Sequence, residues 1–306
     1  MSTLITIIGP TASGKTRLAA LLASRVDGEI LSGDSRQVYR DMDLGTGKDL
    51  ADYIVDGKTI PYHLIDIVDA GYKYNVYEYQ RDFTAAFNDI ISRGKTPILC
   101  GGSGMYIEAV LKGFRLIQVP SNPALRRWCD TLSDQEITTE LRKYKRLHNT
   151  TDIDTRRRAV RALEIETYYA ANPLVELAYP QIEPVIIGVS IDREVRRQRI
   201  DTRLETRINE GMVEEVKGLL ARGVPAETLV YYGLEYKFLA RYVTGQISYD
   251  ECQDQLNIAI HQFAKRQMTW FRGMERRGML IHWIDGQQPV EQRVEDCLSI
   301  IHSPGN

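Results

Sequence analysis

The sequence predicts an α/β fold in which helices cover a parallel β-sheet and a smaller helical subdomain is inserted. Three observations lead to this prediction. A glycine-rich loop follows the first apolar segment, strand-like and helix-like segments alternate through residues 1–119, and a strand-free stretch separates two pairs of prolines. Such alternation is typical of a parallel sheet covered on both faces. We therefore expect a core of residues 1–119 and 185–306 and an insertion of residues 120–184.

The first element is an apolar, strand-length segment at residues 4–8 that runs into a glycine-rich loop and then a helix-forming segment. The loop fits the pattern G-x-x-x-x-G-K-[ST] at every fixed position, with Gly9, Pro10, Thr11, Ala12, Ser13, Gly14, Lys15 and Thr16. In such loops the backbone amides and the positive helix start face phosphate oxygens. Lys15 would reach the terminal phosphate, and the Thr16 hydroxyl would bind Mg²⁺.

The loop predicts a core like that of the P-loop NTPases, a polyphosphate ligand and Mg²⁺ as cofactor. It does not identify ATP or the reaction, although nucleotide and ATP binding are typical of such loops. A chance match in an ordinary glycine turn is the alternative interpretation, and the flanking strand and helix argue against it.

Composition restricts the class of protein. The 306 residues are 43% hydrophobic, which is enough for a large core, and the net charge of −2 gives no global sign of a nucleic-acid partner. Four scattered cysteines without a C-x-x-C pair argue against a zinc site or a disulfide framework. No apolar run approaches the roughly 20 residues that span a bilayer, and the first strand follows Met1 directly. We expect a cytoplasmic monomer without a signal peptide or a membrane partner.

Three segments of the core should meet at one edge of the sheet. Strand-like segments at residues 29–32 and 97–100 lead into Asp34 and into a second glycine-rich segment, as residues 4–8 lead into the first loop. Parallel α/β sheets bind ligands at the carboxyl ends of their strands. The Asp34 carboxylate can bind Mg²⁺ or accept a proton from a nucleophile beside the phosphates. Capping a helix at residues 36–39 is an equal alternative, and Asp66 is the rival metal-binding carboxylate.

Three basic segments are candidates for phosphate or nucleic-acid contacts. Residues 142–146 and 156–161 concentrate positive charge in the insertion. Arg199, Arg203 and Arg207 recur every fourth residue, so they share a helix face, and arginine forks suit a diphosphate. Residues 265–272 alternate basic and aromatic side chains, as surfaces that combine phosphate contacts with base stacking do. Solvated charge, salt bridges or core packing without a ligand are the alternatives.

Together these motifs resemble one family, the bacterial-type tRNA dimethylallyltransferases (tRNA isopentenyltransferases). The resemblance covers most of the chain and rests on the glycine-rich loop and on residues 33–39, 42–48, 62–66, 101–106, 161–164 and 265–272. The loop alone occurs in many proteins, whereas the combination is specific. The resemblance implies transfer of a dimethylallyl group from dimethylallyl diphosphate to N6 of the adenosine 3′-adjacent to the anticodon in tRNA, forming N6-isopentenyladenosine.

The same resemblance implies roles for single residues. The glycine-rich loop, with Lys15 and Thr16, holds the diphosphate and Mg²⁺, Arg199 and Arg203 add diphosphate contacts, and Asp34 is the general base on the amine. Contacts with the tRNA anticodon stem-loop are implied for Asp34, Ser35, Arg36, Gln37, Ser103, Arg126, Arg157, Arg158, Ala159, Val160, Arg161, Lys265, Arg266 and Arg272. The chain departs from the family pattern at Asp154-Thr155 and at Glu235, a bulky residue at a glycine position.

Three other functions are compatible with parts of the pattern. A small-molecule kinase with the same core would turn over ATP and phosphorylate an acceptor. A prenyltransferase could use free adenine nucleotides, although the basic insertion argues against this substrate. A non-catalytic RNA-binding protein could keep the loop for structural reasons, and in that case removal of the Asp34 carboxylate would leave its function intact.

Overall fold

The computed structural model describes residues 2–114, 116–147, 152–172 and 179–303. The chain divides into two compact units, Met1–Phe114 with Pro180–Asn306, called the core unit here, and Arg115–Tyr179, called the insertion unit. The insertion unit thus begins and ends five residues earlier than the expected 120–184. Ile182 and Pro184 belong to a strand that pairs with Ser2 and Leu4, which is why the later boundary moves.

The described strands are β1 (Ser2–Ile8), β2 (Gly28–Ser32), β3 (Ile54–Val55), β4 (Lys58–Thr59), β5 (Tyr62–His63), β6 (Thr96–Gly101), β7 (Ile182–Ser190) and β8 (Ile281–Asp285). The described helices are α1 (Lys15–Arg25), α2 (Val76–Ser92), α3 (Gly104–Leu111), α4 (Pro123–Asp130), α5 (Asp134–Arg142), α6 (Arg156–Ala171), α7 (Arg193–Asn209), α8 (Met212–Ala221), α9 (Ala226–Tyr232), α10 (Leu234–Val243), α11 (Tyr249–Arg276) and α12 (Val290–Ile301). None of these helices has the length and apolar character needed to cross a bilayer.

Six strands form one sheet in the order β5-β2-β6-β1-β7-β8, and every neighbouring pair is parallel. In the central strand β1, residues 4–8 are all buried and only Thr6 among them is polar, as expected for a strand buried on both faces. Strands β3 and β4 form a separate antiparallel pair. The predicted α/β fold with a parallel sheet is therefore confirmed.

The register of the sheet places the ends of three strands side by side. Ile8 of β1 pairs with Gly101 of β6, and Ser32 of β2 pairs with Cys100 of β6. Because the strands run in the same direction, the chain leaves all three at one edge of the sheet. The loops that follow β1, β2 and β6 therefore lie next to one another.

Helices pack on both faces of the sheet. Leu4 and Ile8 face a large core that includes Phe83 of α2 and Phe271 of α11. Ile5 and Ile7 face the opposite core, which also contains apolar residues of α1 and α12. This alternation follows from the two-residue repeat of a strand. It fixes α1 directly behind the glycine-rich loop and brings α12 against α1.

The insertion unit consists of α4, α5 and α6. Its small core contains Cys129, Ile137, Leu141, Ala159 and Leu163, all nearly inaccessible to solvent. Each helix begins with a capping side chain, supplied by Asn122, Ser133 and Thr155. Amphipathic spacing and caps thus account for the helices of this unit.

Candidate active site

The glycine-rich loop joins β1 to α1 through two tight backbone positions. Gly14 has φ 75°, in the left-handed region that glycine adopts without strain. A Cβ at Gly9 would lie 2.7 Å from Ser13 Oγ and 3.2 Å from the Val189 carbonyl oxygen, so a larger residue would not fit there. These two glycines allow the loop to curl tightly ahead of the first turn of α1.

Lys15 folds back over this loop. Its Nζ donates to the Pro10 carbonyl oxygen at 3.3 Å. Burial lowers the pKa of Lys15, and Arg203 adds to this effect, whereas Cys100, Asp34 and Asp49 oppose it. A bound anion would favour the protonated amine, so the site is electrostatically prepared for a negatively charged ligand.

Gln267 of α11 connects the glycine-rich loop to the loop after β6. The Thr11 N–H donates to Gln267 Oε1 at 2.8 Å, and Gln267 Nε2 donates to the Gly102 carbonyl oxygen at 3.0 Å. The side chain is only 5% exposed. The sequence analysis assigned the neighbouring Lys265 and Arg266 to the site but did not assign Gln267. The available signal was its spacing, since Gln267 shares the buried helix face of Ala264 and Phe271, where a polar group needs partners.

Asp34 follows β2 and caps a turn rather than a helix. Its Oδ1 accepts from the Arg36 N–H at 2.8 Å. The helix considered for residues 36–39 does not form, because Gln37 and Val38 use their carbonyl oxygens to accept from the backbone amides of residues 66–68. Asp34 is half-buried and lies on the wall of the cavity described below.

Ser35, Gln37 and Ser103 stabilise the edge of the sheet around Asp34. Ser103 Oγ accepts from the Ser35 N–H at 3.0 Å. Gln37 accepts from Ser32 Oγ at 2.9 Å and donates to the Gly47 carbonyl oxygen at 3.0 Å. The three side chains therefore tie the loops after β2 and β6 to each other and to residues 43–48.

Two arginines of α7 share one aspartate. Arg207 Nη2 lies 2.9 Å from Asp49 Oδ1, and Arg203 pairs with the other carboxylate oxygen of Asp49. Arg199, one turn earlier, is exposed and lies on the same cavity. Arg203 and Arg207 thus share one paired carboxylate, and Arg199 has no ion pair among the described residues, so this wall of the cavity is rich in positive charge.

One cavity of about 870 Å³ brings most of these groups together. This volume lies within the usual range for small-molecule sites. Of the predicted site residues, its wall includes Thr11, Ala12, Gly14, Lys15, Thr16, Asp34, Ser35, Arg36, Gln37, Ser103, Arg199, Arg203 and Arg266. Gly9, Pro10, Ser13, Lys265 and Arg272 are not on this wall, and both of these basic side chains are exposed on α11.

The cavity also contains acidic residues that the sequence did not assign to it. Asp49, Asp52 and Glu235 line it together with Asp34. Burial raises the pKa of Glu235 to about 7, while Arg207 and Arg203 oppose the shift and Asp34 adds to it. Glu235 can therefore change its charge near neutral pH beside the two arginines of α7.

Asp66, the rival metal-binding carboxylate, is part of a buried ion pair instead. Its Oδ1 pairs with Lys48 Nζ, which also donates to the Tyr39 carbonyl oxygen at 2.7 Å and contacts Asp43. Lys48 is 1% exposed. Asp66 does not line the cavity, so its role here is to neutralise a buried lysine.

The predicted tRNA-binding residues of the insertion unit are largely paired within that unit. Arg126 makes two bonds to Glu164, at 2.7 and 2.9 Å, and Arg161 donates to Glu164 at 3.0 Å. Arg158 pairs with Asp154, and Arg157 is exposed. Ala159 lies in the core of the unit and Val160 packs against that core. Contacts of these residues with tRNA stay predictions.

The cavity offers few ligands for a metal ion. Within the described ranges, no group of three or more His, Cys, Asp or Glu side chains is arranged to hold one. Thr16 and Asp52 both lie on the cavity wall. Mg²⁺ usually takes one or two protein oxygens and completes its shell with substrate phosphates and water, and this donor set fits that pattern.

Comparisons with known proteins give one consistent result. Residues 37–274 match the family model described as IPP transferase. The chain is 60% identical over 303 residues to tRNA dimethylallyltransferase 2 of Phocaeicola vulgatus and 60% identical over 300 residues to tRNA dimethylallyltransferase 1 of Parabacteroides distasonis. Each alignment covers 98% of both chains.

Solved structures with similar folds support the same conclusion. The tRNA isopentenylpyrophosphate transferase of Bacillus halodurans has a TM-score of 0.72 and 31% identity, with 98% of this chain and 96% of that chain covered. The tRNA delta(2)-isopentenylpyrophosphate transferase of Staphylococcus epidermidis has a TM-score of 0.69 and 28% identity, with 98% and 99% covered. The P-loop NTPase-like type of the core is confirmed by these neighbours.

Proposed function

Because the chain belongs to the IPP transferase family, we propose that it transfers a dimethylallyl group from dimethylallyl diphosphate to N6 of the adenosine 3′-adjacent to the anticodon. It is a tRNA dimethylallyltransferase, an enzyme that prenylates tRNA. The kinase and the non-catalytic alternatives are not supported by its relatives. The diphosphate donor, the anticodon stem-loop as the part of tRNA bound, the monomeric state and the residue roles are the finer parts of this proposal.

The arrangement of the cavity supports the proposal best. It places a phosphate-binding loop, a row of arginines and the Asp34 carboxylate around one space of about 870 Å³. A positively charged end suits a diphosphate, and a carboxylate suits proton removal from an amine. Transfer from a diphosphate to a nucleophilic nitrogen needs both of these ends within a single site.

In the proposed reaction, N6 of adenosine attacks the C1 carbon of the dimethylallyl group. A C–N bond forms, the C–O bond to the diphosphate breaks, and the electron pair leaves with the diphosphate. Negative charge then increases on the leaving oxygen, where the amides of the glycine-rich loop, Lys15 and Arg203 stabilise it. Asp34 accepts the proton that the amine loses.

The remaining residues of the cavity position these groups. Asp49 fixes the guanidinium planes of Arg203 and Arg207, so little reorientation is needed when charge develops. The Arg36 guanidinium lies 5.6 Å from the centre of the Tyr232 ring. We assign Ser35, Arg36, Gln37, Ser103 and Arg266 to the nucleotide side of the site. A base must leave its stack to reach such a cavity, and these residues would contact it there.

Mg²⁺ is proposed as the cofactor, held by Thr16 with Asp52 on the same wall. When bound with the diphosphate, it supplies positive charge that stabilises the leaving group. The protein residues keep their own roles in this scheme. Lys15 and the loop amides bind phosphate oxygens, while Asp34 accepts the proton from the amine.

The decisive experiment incubates the protein with dimethylallyl diphosphate, Mg²⁺ and unmodified tRNA, digests the tRNA and detects the prenylated nucleoside by mass. We expect Asp34→Asn to lower the rate by roughly 10²–10⁴-fold while tRNA binding is retained. Asp41→Asn is the matched control, since Asp41 is exposed and pairs only at 3.5 Å with Arg222. A wild-type rate for Asp34→Asn, or ATP consumption in place of prenylation, would contradict the proposal.

A further inference from the structure

Arg293 of α12 is a buried arginine with unpaired guanidinium atoms in the described part of the chain. The residue is 9% exposed, and its Nε and Nη1 atoms have no partner among the residues that the structure describes. Guanidinium groups at this depth are normally paired with carboxylates or carbonyl oxygens, because burying an unpaired charge is unfavourable. The unpaired group therefore calls for an explanation outside ordinary packing.

The position of Arg293 beside the glycine-rich loop indicates its function. A Cβ built on Gly14 would lie 3.4 Å from Arg293 Nη1 and 4.0 Å from Nη2. The guanidinium thus lies against the last residue of the glycine-rich loop before Lys15. Arg293 is not on the wall of the cavity, whereas Gly14 is, so the guanidinium contacts the loop from outside the cavity.

Ser13 provides a second, independent observation at the same loop. Its Oγ is buried and also lacks a partner in the described part of the chain. Two unsatisfied buried polar side chains at one loop, Ser13 within it and Arg293 against its Gly14, are unusual, since such groups number only a few per hundred residues. Both indicate that the ligand-free loop is electrostatically incomplete.

The charged groups around Arg293 in the described part of the chain form no ion pair with its guanidinium. Burial lowers the pKa of Arg293 and Arg199 adds to this effect, while Cys297, Glu291 and Asp285 oppose it without bonding to the guanidinium. The start of α1 contributes a further positive dipole end beside it. A cation placed among other positive groups behind a phosphate-binding loop is stabilised when an anion occupies the loop.

We propose that Arg293 is a further positioning residue of the diphosphate site, which attracts the bound diphosphate electrostatically across Gly14 from behind the loop. The inference rests on the proposed function, because it assumes that the glycine-rich loop holds a diphosphate. It adds the C-terminal helix α12 to the groups that bind the leaving group. In a buried environment such an interaction is only weakly screened by solvent, so it acts over the width of one backbone segment.

Calorimetric titration with inorganic pyrophosphate tests the inference, with circular dichroism and thermal unfolding as checks of folding. We expect Arg293→Met to weaken pyrophosphate binding by about tenfold, equivalent to about 1.4 kcal/mol. The ligand-free variant should unfold at the same temperature as wild type or higher, since an unpaired buried charge is replaced by an apolar chain of similar length. Arg293→Lys, which keeps the charge, should bind within about threefold of wild type, roughly 0.6 kcal/mol.

Arg25→Met is the matched control, because Arg25 lies on α1, is exposed, and contacts Glu295 of the same helix α12 at 3.5 Å. It should bind pyrophosphate as wild type does. The inference is overturned if Arg293→Met binds within twofold of wild type, or if Arg293→Lys binds as weakly as Arg293→Met. Failure of the proposed function looks different, since pyrophosphate would then not bind the wild type, or Lys15→Ala would bind it equally well.

Discussion

Arginine clusters occur in both compact units, and the two clusters differ in where their carboxylates lie. In the core unit, Arg203 and Arg207 share Asp49, whose side chain is 42% exposed at the edge of a cavity. In the insertion unit, Arg126 and Arg161 close on Glu164, whose side chain is 0% exposed. One cluster leaves positive charge facing a cavity, and the other neutralises it inside the protein.

The partner of an arginine therefore decides its role more than the number of arginines does. Burial alone would raise the pKa of Glu164, but bonds from Arg126, the Asn122 N–H and Arg161 hold it at about 2. In the core-unit cluster, by contrast, the partly exposed Asp49 serves both Arg203 and Arg207. Changes in the insertion-unit cluster should therefore affect stability, and changes in the core-unit cluster should affect ligand binding and catalysis.

The largest expected effect is on the stability of the insertion unit. Glu164→Gln removes the buried carboxylate that Arg126 and Arg161 share and leaves a buried amide with poorly matched partners, which costs about 3 kcal/mol. Native-state hydrogen exchange of the α4 and α6 amides measures this loss directly. Glu140→Gln is the control, because Glu140 pairs with Lys143 near the surface and should change stability by less than about 1 kcal/mol. Equal exchange in the two variants would refute the comparison.

The same carboxylate predicts an acid dependence. Because the pKa of Glu164 in the folded protein is about 2, against a usual 4.5, its stabilisation is complete above pH 4.5 and is lost as the pH falls toward 2. Protection factors of the α4 and α6 amides, which remove the intrinsic pH dependence of amide exchange, should decrease at low pH in wild type. The variant Glu164→Gln should lack this component, and a pH profile parallel to that of wild type would argue against it.

The next effect is on catalysis in the core unit. Arg203→Met removes a donor from the proposed leaving-group side of the cavity, so kcat should fall by about 10²-fold with little change in melting temperature. The control is Arg222→Met, since Arg222 is exposed and pairs only at 3.5 Å with Asp41. Steady-state prenylation rates provide the measurement. If kcat stays within threefold of wild type, the leaving-group role of Arg203 is wrong.

A smaller effect distinguishes the orientation of the two arginines from the net charge of the cavity. Asp49→Asn frees Arg203 and Arg207 while increasing the net positive charge of the cavity. We expect kcat to fall about tenfold because the donors are less well oriented, whereas pyrophosphate binds as tightly as before or more tightly. Asp69→Asn, at an exposed aspartate paired with Arg40, should change neither quantity. Weaker pyrophosphate binding by Asp49→Asn would show that Asp49 does more than orient its partners.

The smallest effect concerns pH. Glu235, with its pKa raised to about 7, is neutral below that pH and negative above it, beside Arg203 and Arg207. Its ionisation opposes a bound anion, so wild-type affinity for pyrophosphate should fall relative to that of Glu235→Gln as the pH rises from 6 to 8. We expect a severalfold change in the ratio of the two dissociation constants, which cancels the titration of pyrophosphate itself. A constant ratio would show that Glu235 does not change its charge there.

Much of the core could be predicted from the sequence, because its signals are local. Apolar runs, glycine-rich turns and strand–helix alternation lie within short windows, and they gave the parallel sheet and the loop after β1. The turn at residues 36–39 was less accessible, since it depends on backbone bonds to residues 66–68. Pro184 resembled a boundary because proline is rare inside sheets, yet it pairs in register with Leu4.

The missed parts of the site depend on residues far apart in the chain. Gln267 bonds Thr11 across 256 positions, and Asp49 joins Arg203 across 154. Arg293 meets Gly14 only because α12 returns to pack on α1. A periodic pattern shows which face of a helix is buried, but it does not show which distant segment that face contacts.

The amide of Gln267 has a mechanical consequence. One side chain holds an N–H of the loop after β1 and a carbonyl oxygen of the loop after β6, so the two loops cannot separate without breaking a buried bond. The same helix carries Arg266 on the cavity wall. A displacement of α11 would therefore move Arg266 and, through Gln267, both of these loops at the same time.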